Sequence, residues 1–252
     1  IKGKLGFGLM RLPVNEDGSI EEIQTEKMVE YAIEHGVNYF DTAWPYHGGA
    51  SEKVIGRIMK KYARNSFYLA SKFPGHQYIT NMNPKEIFES QLKKCGVEYF
   101  DFYLLHNVYE GSIDRYFDEK LNIIPYLIEQ KKLGKIKHLG FSSHGDLNII
   151  EKLLDKYGDE LEFCQLQINY MDDDSQAGVR GIKLAEERGA FVIVMEPLKG
   201  GALVNLSDEV KDVFKETNND RLIDWAFRYV ASIENVKIIL SGMSSLEQVK
   251  DN

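Results

Sequence analysis

Four side chains that exchange protons readily stand at or just beyond the ends of apolar segments. Asp41 directly follows the apolar run at residues 37–40, and Tyr46 comes five residues later. Lys72 closes the segment "FYLASK", and His106 closes the segment "FDFYLLH". A carboxylate, a phenol, an ammonium and an imidazole at one site suit proton transfer to or from an oxygen atom.

The four residue types suggest a division of roles. Tyrosine has an ordinary pKa of about 10, which is too high for easy proton exchange at neutral pH. A neighbouring ammonium stabilises the phenolate, so Lys72 is predicted to lower the pKa of Tyr46. Asp41 would hold Lys72 charged and oriented. His106 would hydrogen-bond a substrate oxygen where charge develops.

Each of these residues also has a structural interpretation. Asp41 could cap a turn, and Tyr46 is one of 14 tyrosines, most of which pack with a polar tip. A titratable residue that closes an apolar strand carries a desolvation cost, which favours a role for Lys72 and His106. Their joint appearance with Asp41 at three consecutive strand ends favours a functional site.

The segments that would position these residues form an α/β pattern. Eight short apolar runs alternate with stretches of helical periodicity; the runs are Leu5–Leu9, Val37–Phe40, Phe67–Ala70, Phe100–Leu105, Ile136–Phe141, Phe163–Ile168, Phe191–Met195 and Val236–Leu240. Strands alternating with helices predict parallel βαβ units, and continuous apolar strands predict a sheet covered on both faces. Eight units in 252 residues predict one domain, residues 1–252, folded as a (β/α)8 TIM barrel with its site at the C-terminal ends of the strands.

Start and stop signals accompany the helical stretches. The predicted helices include Thr25–His35, Ser51–Tyr62, Pro84–Cys95, Asp146–Tyr157, Val179–Arg188 and Asp220–Ala231. The predicted N-caps are Thr25, Asp146 and Asp220, and Pro84 suits a first turn. Glycines typical of helix C-termini stand at Gly36, Gly96, Gly158 and Gly189.

Composition narrows the classes of partner. The net charge is −8 with no basic block, which argues against nucleic acid or an anionic membrane as the main partner. No apolar run is long enough to predict a transmembrane helix. Cys95 and Cys164 lie outside any CxxC pattern, which is typical of a reducing compartment. We expect a cytoplasmic protein that acts on a small molecule; its oligomeric state does not follow from the sequence.

Seven motifs in order resemble the aldo-keto reductase superfamily. They are "LGFGLMRLP", "FDTAWPYHGGASE", "ASKFP", "YLLHN", "GFSSHG", "MEPLKGG" and "SGMSSLEQVKDN". The resemblance implies a (β/α)8 barrel that binds NADP or NAD without a Rossmann domain and reduces an aldehyde or ketone to an alcohol. It assigns Tyr46 as general acid, Lys72 and Asp41 as the pair that lowers its pKa, and His106 as the residue that orients the carbonyl oxygen.

The same resemblance implies a set of cofactor-binding positions. They are Gly8, Met10, Arg11, Ser142, Ser143, Gln165, Glu196, Pro197, Leu198, Lys199, Gly200, Ser241, Gly242, Met243, Gln248 and Asn252. Ser142, Ser143 and Gln165 match positions that hold the nicotinamide carboxamide, although the family has asparagine at the second of these. "PLKGG" matches the loop that covers the pyrophosphate. Met195 or Glu196 stands where many members stack a tyrosine on the nicotinamide.

The pocket for a 2′-phosphate departs most from the family. Members that prefer NADPH place Lys, Ser and Arg after strand eight, where this chain has Gly242, Met243 and Gln248. Discrimination for the phosphate depends on charge-assisted bonds. The pocket is therefore predicted to accept NADH or to recruit a cation from elsewhere, and the choice between NADP and NAD stays open.

The motifs are most similar to a prokaryotic branch whose members often continue into a ferredoxin-like tail. A [4Fe–4S] cluster would belong to such a tail in a longer parent chain, because the present sequence contains no cysteine cluster. The chain stops within what should be the last helix. The sequence does not decide whether a tail follows.

Substrate specificity is expected from the loops after the strands. The predicted substrate residues are Trp44, Phe73, His76 and His144. Aromatic residues in these loops favour an apolar or ring-bearing carbonyl compound.

Two other functions stay open. One is a metal-dependent barrel hydrolase using Asp41, His106 and His144, although no HxH or HExxH spacing supports a metal site. The other is a nicotinamide-dinucleotide-binding regulatory or redox-sensing subunit with little turnover. The acidic segment "YMDDDS" at residues 170–175 is predicted to be a solvated loop rather than a metal site.

Overall fold

Eight parallel strands close into a barrel in the computed structural model, which describes residues 2–216 and 221–252. Each strand pairs with its neighbours in chain order, and β1 closes the barrel against β8. The strands are β1 Leu5–Gly8, β2 Tyr39–Asp41, β3 Tyr68–Phe73, β4 Phe100–Leu105, β5 Ile136–Ser143, β6 Phe163–Gln167, β7 Phe191–Met195 and β8 Val236–Gly242. The predicted (β/α)8 barrel is confirmed.

Helices fill the intervals between the strands. They are α1 Glu22–Glu34, α2 Ser51–Met59, α3 Pro84–Cys95, α4 Ile113–Phe117, α5 Ile123–Lys132, α6 Leu147–Tyr157, α7 Gly178–Glu187, α8 Asp208–Lys215, α9 Leu222–Ser232 and α10 Leu246–Asp251. Within the described ranges, none of these helices has the length and apolar character needed to cross a membrane.

The strands extend further towards the site than the apolar runs predict. Asp41 is the last residue of β2 rather than the first residue after it, because its backbone pairs with Gly8 and Ala70 on the two neighbouring strands. Lys72 lies inside β3, one residue before its end. The backbone ladder does not depend on side-chain polarity, so the apolar pattern misses these last residues.

Two predicted helix signals need correction. Thr25 is not an N-cap: it lies inside α1, where its hydroxyl donates to Glu21 O at 2.8 Å, a local bond that threonine makes readily within helices. Asp146 occupies the N-cap position of α6 as predicted, but its side chain makes no capping hydrogen bond. Pro84 begins α3 as predicted. Asp220 lies outside the described residues.

Three of the four predicted C-terminal glycines need left-handed backbone. Gly36, Gly96 and Gly189 have φ values of 94°, 65° and 75°, which cost other residues more than glycine. Gly158 ends α6 with φ −59°, so its position does not require positive φ.

The inner face of the barrel changes from apolar to polar along the strands. One apolar cluster fills its lower part: Tyr39, Ala70, Phe102, Leu104, Phe163, Ile193, Ile238 and Leu240. Strand side chains alternate between faces, so Asp41, Lys72 and Gln165 follow members of this cluster by two positions on the same face. The apolar cluster therefore forms a floor beneath a polar rim. A second, larger apolar cluster joins strand and helix residues outside the barrel.

Candidate active site

Lys72 is the centre of a buried contact group at the C-terminal end of β2 and β3. Its Nζ contacts Asp41 Oδ1 and donates to Thr42 O at 2.9 Å and to Tyr46 Oη at 3.2 Å. The Lys72 and Asp41 side chains are 1% and 2% exposed. The structure thus brings together three of the four residues predicted to transfer protons.

The three contacts of Lys72 determine the direction of its hydrogen bond with Tyr46. An ammonium has three N–H donors and no acceptor, and Lys72 has three acceptors around it. Burial lowers the pKa of Lys72, but Asp41 and Tyr46 raise it by more, so its pKa lies above the usual range and the group stays charged. The Tyr46 oxygen therefore accepts, which leaves the Tyr46 O–H free to donate elsewhere.

The pKa of Tyr46 departs from the prediction. Burial raises this pKa, Lys72 lowers it and Asp41 raises it again, with a net increase above 10. Lys72 lowers the pKa as predicted, but the desolvation of the buried phenolate, which the sequence does not reveal, outweighs this stabilisation. The phenol consequently holds its proton at neutral pH. Burial likewise raises the pKa of Asp41, an effect that Lys72 partly offsets.

His106 directly follows β4 and lies edge-on to Tyr46, with ring centroids 5.8 Å apart. Burial lowers its pKa well below 6.5, and the charge of Lys72 adds to this decrease. The imidazole is therefore neutral at pH 7. Its Nδ1 atom is buried and has no hydrogen-bond partner among the described residues. All four predicted residues lie at one end of the barrel, around a position where a substrate oxygen could bind.

The loop between Tyr46 and α2 turns through left-handed backbone. His47, Gly48 and Gly49 have φ values of 51°, 61° and 89°. Three such residues in sequence reverse the chain so that α2 can begin at Ser51. The two glycines make this turn at little steric cost, which explains why they follow the tyrosine.

A buried polar network that the sequence did not reveal lies behind Lys72. Glu52 Oε1 accepts from Ser71 Oγ at 2.7 Å and from Gln91 Nε2 at 2.6 Å, and its Oε2 accepts from Lys94 Nζ at 3.2 Å. Tyr103 donates to Gln91 Oε1. Glu52, Ser71, Gln91 and Tyr103 have no exposed surface.

This network reaches the site by two routes. Gln91 Nε2 donates to Lys72 O at 3.0 Å, which fixes the backbone of Lys72 from the outer face of the barrel. Lys94 Nζ lies 3.7 Å from the centroid of the Trp44 ring, two residues before Tyr46. A single carboxylate, that of Glu52, therefore helps position both Lys72 and the loop that carries Tyr46. Glu52, an acidic residue in the first turn of α2, is the sequence feature that could have indicated this network.

We expect the Glu52→Gln variant to lower the free energy of unfolding by about 3 kcal/mol, because a buried ion pair with Lys94 is broken. Any activity that depends on the position of Lys72 should fall with it. The control is Glu22→Gln, which breaks a half-exposed pair with Arg57 and should cost less than about 1 kcal/mol. Urea denaturation of both variants measures the difference. Equal losses in the two variants would contradict a supporting role for Glu52.

The positions predicted to hold a nicotinamide lie on adjacent strands. Ser142 and Gln165 are paired in register between β5 and β6. Gln165 Oε1 is buried without a partner among the described residues. Ser142 Oγ accepts from Asn107 N at 2.8 Å and keeps its own proton to donate. Ser143 Oγ donates to Val108 O at 2.6 Å, so its proton is used within the loop.

The loop after β7, predicted to cover the pyrophosphate, turns through left-handed backbone. Lys199, Gly200 and Gly201 have φ values of 49°, 65° and 96°. Lys199 Nζ donates to Asp172 Oδ1 at 2.5 Å. Asp172 belongs to the segment predicted to be a solvated loop. That prediction is wrong for this residue, whose side chain is 11% exposed and is held by Lys199 and two amide groups.

Arg11 lies between the end of β8 and the loop after β7. A Cβ atom added to Gly242 would lie 3.3 Å from Arg11 Cδ, and one added to Gly200 would lie 3.3 Å from Arg11 Nη2. The two glycines therefore leave room for this guanidinium. It places a cation beside positions predicted to bind a dinucleotide.

The other predicted cofactor positions differ in exposure. Asn252 Nδ2 donates to Ser241 Oγ at 2.8 Å, and Gln248 Oε1 accepts from Ser244 N at 2.7 Å. Met10 is exposed, whereas Met243 is buried in the outer apolar cluster. Gly8 packs against Ser241 O. In the loop after β7, Glu196 is exposed, Pro197 is buried and Leu198 is half-buried.

The four predicted substrate residues divide into two groups. His76 and Trp44 lie beside the site: the His76 ring centroid is 4.4 Å from that of His106, and Trp44 contacts Lys94. Phe73 is fully buried in the outer apolar cluster instead. His144 is exposed, with Nδ1 3.3 Å from Gln176 Oε1. Within the described ranges, no three His, Cys, Asp or Glu side chains are placed to hold a metal ion.

The fold and site define a (β/α)8 barrel with a buried group of contacting Asp41, Tyr46 and Lys72 side chains at the C-terminal ends of its strands. A model described as the aldo/keto reductase family matches residues 4–252, and the chain belongs to this family.

Named relatives and a solved structure agree with this membership. L-galactose dehydrogenase from Arabidopsis thaliana is 27% identical, over 98% of this chain and 82% of that protein. NADH-specific methylglyoxal reductase from Escherichia coli (strain K12) is also 27% identical, over 86% of this chain and 78% of that protein. The holo form of an aldo-keto reductase from Bacillus halodurans has a TM-score of 0.79 and 26% identity, and the match covers 99% of this chain and 85% of that one.

Proposed function

We propose that this enzyme uses NADH or NADPH to reduce an aldehyde or ketone to an alcohol, with Tyr46 as the general acid. The observation that carries the proposal is the set of three acceptors around Lys72. With three acceptors around it, Lys72 uses all three of its N–H groups as donors, one of them to the Tyr46 oxygen. The phenolic proton of Tyr46 then points away from Lys72. Relatives named as a dehydrogenase and a reductase support redox chemistry.

The residues of the chain then have distinct tasks. The neutral His106 donates a hydrogen bond to the carbonyl oxygen and orients it. Tyr46 transfers its proton to that oxygen as negative charge develops there. Lys72 stabilises the resulting phenolate, and Asp41 keeps the ammonium charged and in place. Burial of the whole group strengthens each of these electrostatic interactions.

The residues present fit a nicotinamide dinucleotide. The unpartnered Gln165 Oε1 can accept from a carboxamide N–H, and the Ser142 hydroxyl can donate to the carboxamide oxygen. The turn at residues 199–201, where φ is positive, lies beside Arg11, and the two together suit a pyrophosphate. The bound cofactor supplies the hydride. This chain supplies the binding groups, their orientation and the proton.

We expect the dissociation constants for NADH and NADPH to differ by less than about tenfold, because no cation replaces the family's Lys and Arg at Gly242, Met243 and Gln248. Fluorescence titration with each cofactor measures both constants. In the same titrations Arg11→Gln should weaken both cofactors equally if Arg11 contacts the shared pyrophosphate. A hundredfold preference for NADPH in the wild type would contradict the prediction.

The proposed activity is tested by a panel of aldehydes and ketones, with loss of the reduced nicotinamide absorbance as the readout. We expect oxidation of the cofactor that depends on the carbonyl compound, with one alcohol formed for each cofactor oxidised. Tight cofactor binding with no oxidation across the panel would favour a regulatory subunit instead. We also propose a cytoplasmic location and small-molecule carbonyl substrates.

A further inference from the structure

Basic side chains concentrate in a cleft between α2 and α3, on the outer face of the barrel. The volume of the cleft is about 280 Å³, at the lower end of the range for small-molecule pockets. Positions three and four residues apart share one face of a helix, and both helices turn such positions towards the cleft. Its cationic lining residues are Lys53, Arg57, Lys60, Lys93 and Lys94. None of the described residues that line it is acidic.

The two helices approach each other closely beside these cations. A Cβ atom added to Gly56 on α2 would lie 2.6 Å from Lys94 O on α3. A larger side chain at this position would push the helices apart, because protein interiors are close-packed. Contact between the two backbones therefore fixes the cationic positions of α2 relative to those of α3.

The positive charge of the cleft is only partly balanced. Arg57 pairs with Glu22, and Lys94 pairs with Glu52. The three other lysines of the cleft are exposed, and none of them forms an ion pair with a described residue. Like charges three or four residues apart on a helix repel each other, and the chain as a whole has a net charge of −8. Unbalanced positive charge concentrated on an acidic protein indicates an anionic ligand.

Lys94 connects the cleft to the loop of residues 42–50, which carries Tyr46. The Lys94 side chain is 18% exposed. Its Nζ lies 3.2 Å from Glu52 Oε2 and 3.7 Å from the centroid of the Trp44 ring. The face of an aromatic ring attracts a cation electrostatically. An anion in the cleft would compete with this ring and with the carboxylate for the same ammonium.

We propose that the cleft binds a small anion with at least two phosphate groups, and that this anion acts on the loop of residues 42–50 through Lys94. Phosphate oxygens accept charge-assisted hydrogen bonds from lysine and arginine. One phosphate group carries a charge of about −1.5 to −2 at pH 7, which is less than the charge of the three lysines without an acidic partner. The half-buried Ser90 adds a hydroxyl donor to the lining. Binding of the anion does not depend on the proposed function.

Calorimetric titration with inorganic pyrophosphate and with orthophosphate tests the site. The wild type should bind pyrophosphate, and it should bind orthophosphate more weakly. A cleft variant carries Lys53→Gln, Lys60→Gln and Lys93→Gln. It should bind pyrophosphate at least about tenfold more weakly, because three exposed charge pairs are lost.

A control variant has the same net charge as the cleft variant. It carries Lys120→Gln, Lys132→Gln and Lys152→Gln, at three exposed positions that do not line the cleft. At physiological salt its affinity for pyrophosphate should stay close to that of the wild type, because distant exposed charges are screened.

The fluorescence of Trp44 measures the effect on the loop. The chain has two tryptophans, so Trp225→Phe leaves Trp44 as the single emitter. In this background pyrophosphate should change the emission with the same dissociation constant that calorimetry gives. Adding Lys94→Gln, which keeps an N–H donor for Glu52 but removes the charge beside the ring, should abolish the change.

Three results would contradict the proposal. The wild type could fail to bind pyrophosphate, or the cleft and control variants could lose affinity equally. Loss of binding in Arg11→Gln but not in the cleft variant would place the anion at the positions assigned to the cofactor instead. Binding in the cleft with unchanged Trp44 emission would exclude an action through Lys94.

Discussion

The Tyr46→Phe variant is expected to lower kcat for carbonyl reduction by about 10²–10⁴-fold, the usual contribution of a positioned general acid. Phenylalanine keeps the ring that lies edge-on to His106 but removes the proton. The dissociation constant of the cofactor should change little, because the positions assigned to the cofactor lie on β1, β5, β6, β8 and the segments that follow β1, β7 and β8, and none lies on the loop that carries Tyr46. Stopped-flow measurement of a single turnover separates the two effects.

A matched control separates loss of chemistry from loss of structure. Tyr31→Phe removes a hydroxyl from α1, where the ring stacks on His35 away from the site, and it should keep wild-type turnover. Tyr46→Phe also leaves one Lys72 N–H without an acceptor, which should cost about 1–3 kcal/mol of stability. The variant should stay folded at room temperature. Undiminished turnover in folded Tyr46→Phe would contradict the role of the phenol.

The Lys72→Met variant is expected to affect both stability and activity. Methionine fills a similar space but leaves the buried Asp41 carboxylate without its counter-ion. Removing one partner of a buried pair costs about 3–5 kcal/mol. Turnover should fall at least as far as in Tyr46→Phe, because the phenolate formed in the reaction loses its stabilising charge. Thermal unfolding and steady-state kinetics measure the two effects.

A double variant tests the cause of the instability. In Lys72→Met with Asp41→Asn, no uncompensated charge is buried, so much of the lost stability should return while activity stays low. The control Lys61→Met removes an exposed partner of Glu26 and should cost less than about 1 kcal/mol. A double variant as unstable as Lys72→Met alone would show that the ion pair is not the source of the loss.

The barrel and the placement of the proposed catalytic residues could be predicted from the sequence. Apolar strands and helical stretches differ in periodicity, and parallel strands in a barrel point the same way. Asp41, Lys72 and His106 therefore had to lie at one rim once eight units were recognised. The prediction needed the order of residues along the chain and no knowledge of packing.

Features that depend on packing could not be predicted in this way. The net pKa of Tyr46 follows from how deeply the phenol is buried, and burial is contributed by segments distant in sequence. The Glu52 network joins α2, α3, β3 and β4, and each of its residues looks ordinary alone. Phe73 follows Lys72 directly, yet alternation along β3 places its side chain on the outer face of the barrel.

The pH dependence of kcat for carbonyl reduction tests the central claim most directly. An acid donates only below its pKa, so activity is lost as the pH rises through that pKa. Because burial raises the pKa of Tyr46, kcat should be constant through neutral pH and fall only on the alkaline side, and Tyr46→Phe should lack this fall. The pKa of His106 lies well below 6.5. A rate that declined between pH 5 and 7, and did so equally in Tyr46→Phe, would identify the imidazole as the donor and contradict the mechanism.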